Sequence, residues 1–318
     1  MARTSKPIRR LTAVELELET AEAGPAIGER DAAPRETRAP ARHIPEQMDA
    51  PIITGIADHR LVRVPGRPVE QTDPVAGQIQ YLASRFGTVI SDIEGQASKR
   101  EVADFREGEA FLRNWSASNI LAFGSHLGLI ENHVSRIRHE ILEDAASRLD
   151  ALLHSSREFI NSFEMWREYV DQSSLLDARI GENRREVISV TEVAAEGLAR
   201  DVESVDPQIS STLAEYAEIA SGVRNKRSVA LAVLSALRSI NNISVSFTEY
   251  IVRVAKDGYA SILDNGRALG LLKTICQFFP LAMRLAAGHP DLSWLLSHSD
   301  DIRAVCNTLS NLKPAKQH

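Results

Sequence analysis

Residues 118–180 read SNILAFGSHLGLIENHVSRIRHEILEDAASRLDALLHSSREFINSFEMWREYVDQSSLLDARI. Apolar side chains recur at Leu127, Ile130, Val134, Ile137, Ile141, Ala145, Leu149, Leu152, Phe159, Phe163, Trp166 and Val170, with Ser156 in the same row. Steps of three and four residues put them on one face of a helix. Extra four-residue steps around residues 141–149 read as a heptad pattern interrupted by a stutter, so a long amphipathic, coiled-coil-like helix is predicted. The other face mixes charges (Glu131, Arg136, Arg138, Glu140, Glu143, Asp144, Arg148, Asp150, Arg157), as a solvated face does. One helix from Leu129 to Ile180 would span roughly 75–80 Å. A compact body of about 240 residues is only roughly 45 Å across. The stretch is therefore predicted either to protrude or to break, with Ser155-Ser156 and residues 171–174 as the weak points.

Working outward, the chain has no proline between Pro74 and Pro207. Asp73-Pro74 is a helix start signal, and Val75, Ile79, Leu82, Phe86, Val89 and Ile93 form a clean helical stripe. Ser98 and Glu101 read as a capping box opening the next helix. Gly181 permits a turn into a helix over 182–205, and Asp206-Pro207 repeats the start signal. Residues 229–255 and 268–287 are more apolar, the second with Pro280 inside, where a kink is predicted. A last helix is predicted over 292–312.

The segment 1–72 differs in kind. It holds eight of the 13 prolines, interleaved with Ala, Glu, Arg and Gly, and so buries too little apolar surface to offset chain entropy. It is predicted to be a disordered arm. Within it, residues 51–64 carry Ile52, Ile53, Ile56, Leu61, Val62 and Val64 around Asp58-His59, which suits a weak hairpin or an extended docking segment. The predicted organisation is thus all-α: a disordered arm (1–72), a long-helix half (73–205) and an apolar helical half (206–312) forming an elongated bundle, then a frayed tail (313–318).

Composition narrows the function classes. Hydrophobic residues at 43% support a sizeable core, and aromatics at 5% favour helices over an all-β fold. A net charge of -6 argues against general nucleic-acid binding, which needs a basic field. Cys276 and Cys306 lie in apolar surroundings without metal-site spacing, and read as buried thiols of a reducing compartment. Residues 1–10 are basic, but acids at Glu15, Glu17 and Glu19 interrupt any apolar run behind them, so no secretory signal is expected and the localisation predicted is cytoplasmic.

No catalytic motif emerges. His126 and His133 share a helix face but stand roughly 10 Å apart by rise. His139-Glu140 begins a zinc-protease pattern that fails, because Glu143 stands where the second histidine belongs. No phosphate loop, nucleophile elbow or Glu-x-x-His pair is present. No catalytic, cofactor or metal residue is assigned. The most suggestive polar feature is a basic patch, Arg224, Lys226 and Arg227, suited to an anionic partner or simply to the carbonyl end of the preceding helix.

The expected function is accordingly a non-enzymatic helical interaction or assembly protein, with a protein partner or self-association through the long stripe. One alternative is a membrane-active protein inserting a hairpin from 229–287, although Lys273 and Arg284 interrupt the second helix. Another is an enzyme or regulator whose site joins distant residues such as His126, His133, Glu140 and Asp144.

Overall fold

A computed structural model describes residues 43–180, 183–222, 226–257 and 265–311. The expectations for 1–42, for Arg224 and for 313–318 lie outside the described residues. Those described belong to one compact unit and are all-α apart from one hairpin.

The hairpin pairs β1 (Thr54–Ala57) with β2 (Arg60–Arg63), Thr54 opposite Arg63 and Ala57 opposite Arg60. Asp58 and His59 both have positive φ, 49° and 58°, as a two-residue turn that follows the strands' right-handed twist requires. Its outer edge is paired: the Leu61 amide donates to the Ser204 carbonyl at 2.8 Å, and the Asp206 amide to the Leu61 carbonyl at 2.9 Å. Residues 43–72 are therefore not part of a free arm, a correction to the boundary at 72. Their apolar residues are few, but Ile52 and Leu61 are fully buried. The backbone around them is held by polar side chains of a distant helix.

Ten α-helices follow among the described residues: α1 (Asp73–Ile93), α2 (Lys99–Arg113), α3 (Ala117–Ile137), α4 (Glu143–Asn161), α5 (Glu164–Ile180), α6 (Arg184–Ala199), α7 (Pro207–Ser221), α8 (Lys226–Asp257), α9 (Gly266–Ala286) and, after a 3-10 turn at Pro290–His298, α10 (Ser299–Asn311). The capping box at Ser98 and Glu101 forms as expected. At α1 the cap is Thr72, with Asp73 and Pro74 inside the first turn.

The long stripe is three helices, not one. The chain breaks at residues 138–142 and 162–163, and Ser155, Ser156 and residues 171–174 lie inside α4 and α5. What reads as a heptad stutter is the first break. Arg136 in the last turn of α3 and Glu143-Asp144 in the first turn of α4 carry the charges that favour a helix end and a helix start. At the second break the Arg167 guanidinium donates to the Asn161 carbonyl at 2.9 Å, closing the end of α4.

Folding back lets the stripe bury itself. Leu127, Ile130, Val134, Leu149, Leu152, Phe159 and Trp166 join Leu82, Phe86 and Phe105 in a first core. A second core gathers Ile52 and Leu61 of the hairpin with α6, α7, α8 and α9. Because Val187, Val190 and Leu198 of α6 belong to this second core, the two cores change over between α5 and α6 rather than at Asp206. Helix α8 serves both, giving Leu231 and Leu234 to the first and Val233 and Leu237 to the second.

Helix α9 continues through Pro280 to Ala286. Cys276 and Cys306 are joined in a disulfide linking α9 to α10, with Cα atoms 5.6 Å apart. This corrects the reading of two free thiols, and the reducing compartment inferred from them loses that support. The 3-10 turn brings α10 back beside α9, a contact that a spacing of 30 residues does not announce.

Candidate functional site

Helix α2 places Glu101, Asp104 and Glu107 three residues apart, hence along one side of the helix. Facing them are His126 and His133 of α3, 2% and 1% exposed, and Glu215 of α7. Asp104 links the two histidines. Its backbone carbonyl lies 2.7 Å from His126 Nε2 and its carboxylate 2.6 Å from His133 Nε2. Arg136 donates to His133 Nδ1, and Arg100 bonds Glu218 one turn beyond Glu215.

His126 Nδ1 lies 3.0 Å from Glu215 Oε1. With a carbonyl on one ring nitrogen and a carboxylate on the other, both nitrogens meet acceptors, and the imidazolium satisfies both. Burial alone would strip that proton. The charge and hydrogen bond of Glu215, the charge of Glu107 and the Asp104 carbonyl outweigh it and lift the His126 pKa to about 9. Burial raises the Glu107 carboxyl above its ordinary range, with His126 opposing and Glu215 adding to the rise. Glu101 sits low: burial works against its charge, but the Ser98 amide and hydroxyl, then His133 and Arg136, stabilise the carboxylate. The Phe111 ring closes one side of His126, edge to face at 5.6 Å, and Arg63 of β2 covers Phe111.

Glu107 and Phe111 also line a cleft of about 480 Å³. Its other walls come from Arg63, Val64 and Pro65 after β2, from Asn114 to Ser116 and Asn119 between α2 and α3, and from Asp206 and Gln208 opening α7. Trp115 stands against Phe159 and Phe163, with ring centroids 5.3 and 5.2 Å away, and its buried indole Nε1 has no hydrogen-bond partner in the protein.

The structure thus brings His126 and His133 together, while Glu140 and Asp144 are exposed at the α3–α4 junction and take no part. The acids that do take part, on α2 and α7, come from outside the stretch read as the scaffold. Their three-residue spacing on α2 is the one sequence signal that could have found them. Lys226 and Arg227 open α8, where helix polarity disfavours cations, rather than closing α7. Arg227 lines a separate cleft with Arg157 and Glu131.

Among the described residues, two helices are long and apolar enough to cross a membrane: α8 over Lys226–Lys256 and α9. Within the protein the apolar window of α8 is 89% buried and that of α9 50%, so α8 has the burial of a core helix and α9 is buried on one side. What the fold and the cluster define is an all-α bundle with a buried charged centre opening on a polar cleft. No protein-family model, curated protein or solved structure matches the chain.

Proposed function

We propose that this chain is a non-enzymatic helical interaction protein that receives a polar segment of a protein partner in the cleft between α2, the start of α3 and the start of α7. The observation that carries the proposal is the Trp115 indole N–H, buried at the cleft wall without an acceptor. An unmet buried donor costs about 1–3 kcal/mol, which a partner's backbone carbonyl would relieve once a turn of the ring brings the N–H to the cleft surface. Around it the side-chain amides of Asn114, Asn119 and Gln208 match the donors and acceptors of a peptide backbone. The missing catalytic motifs are consistent with binding rather than turnover.

Recognition is assigned to the cleft because the apolar stripe of residues 127–170 is spent in the first core. A membrane-inserting hairpin from 229–287 has weaker support, since α8 is wrapped on most sides and gives hydrogen bonds to the β-hairpin and to the segment just before it.

The test compares wild type with Trp115→Phe, which keeps an aromatic ring, smaller than the indole, and removes the N–H. Both are used as bait in quantitative affinity purification, and direct binding of any captured protein is then measured. The expected result is a partner bound at least five-fold more weakly by the variant, with the helical fold intact by circular dichroism. Equal binding by both proteins would remove the cleft from the proposal.

A further inference from the structure

Glu107, His126 and Glu215 each offer one ligand atom, and the three atoms lie within 4.8 Å of one another. They come from three helices, so the arrangement is fixed by the tertiary fold and not by local sequence. From this juxtaposition we infer that the cluster is a binding site for a first-row divalent transition-metal ion, with Glu107, Glu215 and His126 Nδ1 as ligands. The inference goes beyond the cleft's role in partner binding and stands without it.

Four features of the geometry support it. First, His126 Nδ1 and Glu215 Oε1 are 3.0 Å apart, about the edge expected of two ligands each roughly 2.0–2.2 Å from one ion at near right angles. Second, His126 Nε2 donates to the Asp104 carbonyl at 2.7 Å. That bond holds the ring so that the Nδ1 lone pair aims at the two carboxylates, the support a metal-ligating histidine ordinarily has. Asp104 is itself held by His133.

Third, the charges call for a cation. Glu101, Asp104, Glu107, Glu215 and Glu218 surround the cluster, against the guanidiniums of Arg63, Arg100 and Arg136. With the His126 imidazolium counted, one negative charge is left over; once an ion displaces the Nδ1 proton, five carboxylates against three guanidiniums leave two, which a divalent ion balances. Fourth, there is a route in: Glu107 belongs both to the cluster and to the cleft wall, so an ion can reach the cluster from solvent past Glu107. An imidazole with two carboxylates is a mixed nitrogen and oxygen set, which suits zinc, manganese or iron(II) better than magnesium or calcium. Binding exchanges the Nδ1 proton of His126 for the ion and releases that proton to solvent.

The test uses the full chain freed of metal with a chelator, then titrated with Co²⁺ as a spectroscopic probe and with Zn²⁺. Wild type should take up one ion per chain, show visible Co²⁺ bands that Zn²⁺ abolishes, and melt at higher temperature with Zn²⁺ present. Glu107→Gln and Glu215→Gln should each weaken uptake by ten-fold or more. His139→Ala with His154→Ala, at two exposed histidines, should bind as wild type does. Should a ligand variant fail to fold, the imidazole ¹⁵N signal of His126 in wild type decides the matter: it should shift on Zn²⁺ addition. No uptake by wild type, uptake unaffected by Glu107→Gln, or an unmoved His126 signal would overturn the inference.

Discussion

Asn242→Leu separates a docked hairpin from a loose arm. Asn242 is fully buried in α8, and its side-chain amide makes three hydrogen bonds to the segment before α1. Its Oδ1 accepts from the Met48 amide at 2.8 Å, and its Nδ2 donates to the Met48 carbonyl at 2.9 Å and the Ile52 carbonyl at 3.0 Å. Leucine fills similar space and offers none of these. The Ile52 carbonyl is buried, so orphaning it costs about 1–3 kcal/mol, and the half-buried Met48 groups about 0.5–1.5 kcal/mol each. The total, roughly 2–6 kcal/mol, is comparable with the stability of a whole domain. Residues 43–64 should therefore peel away before the helices melt. Hydrogen exchange is the assay: the amides of Leu61 and Val64, bonded to Ser204 and Ile53, should lose most of their protection while α3 and α8 keep theirs. Trypsin should then cut after Arg60 or Arg63 in the native variant. Unchanged protection at Leu61 and Val64 would refute the claim that Asn242 anchors the segment.

Cys306→Ser opens a crosslink spanning 30 residues, which chain entropy values at roughly 3–4 kcal/mol, so its denaturant midpoint should fall well below that of the oxidised wild type. Thiol titration of the unreduced, unfolded wild-type chain should find no free sulfhydryl; two would refute the crosslink. Gly124→Ala adds a Cβ that would sit 2.5 Å from the buried Trp166 ring. The overpacking, about 1–3 kcal/mol, should outweigh the roughly 1 kcal/mol gained in helix propensity, and a raised melting temperature would contradict this. Tyr169 is buried with its hydroxyl donating to Ser235 Oγ at 3.1 Å, and burial pushes its pKa up to about 12. A raised folded-state pKa means stability present below the unfolded value near 10 and lost as pH climbs toward 12, here roughly 2–3 kcal/mol. Tyr169→Phe should flatten the alkaline fall in urea midpoint.

The elements legible in the sequence are those whose signals are local. The stripe of α1 needs only its own residues, and the capping box of α2 needs only Ser98 and Glu101. The breaks after α3 and α4 were half legible. The irregular spacing near residues 141–149 was visible, but an interrupted heptad and a chain reversal leave the same mark. The charges flanking residues 138–142 distinguish the two. The hairpin was legible as one of two readings of residues 51–64, but its docking was not, because what holds it and the residues before it comes from Asn242 and Ser246 almost 200 residues away. The site was hidden for the same reason. His126 and His133 were visible as a pair, but the residues that give them chemistry lie on α2 and α7, and nothing short of the fold puts Glu215 beside His126.

Helix α8 is the element shared by both cores. A helix that packs on one side advertises itself by a stripe, and α3, α4 and α5 do so. Helix α8 carries a stripe too, at Val233, Leu237, Ile240, Phe247, Ile251 and Val254, but its other face is mostly Ala, Ser and Asn and is equally buried, so it resembles a membrane span. What distinguishes α8 from a span is the fate of its polar residues. Ser244 and Thr248 return their hydroxyls to carbonyls one turn back, Ser235 receives the Tyr169 hydroxyl, and Asn242 and Ser246 hold the hairpin. Insertion into lipid would break the last two sets, leaving amide and carbonyl groups without partners at several kcal/mol apiece. The same bonds tie the core to the site. The hairpin that Asn242 holds pairs through Leu61 with Ser204 and Asp206, and Asp206 caps α7, the helix that carries Glu215 to His126. The position of the charged cluster is thus set by a chain of contacts that begins inside α8. Loosening Asn242 should disturb His126 by way of α7, without touching any residue of the cluster.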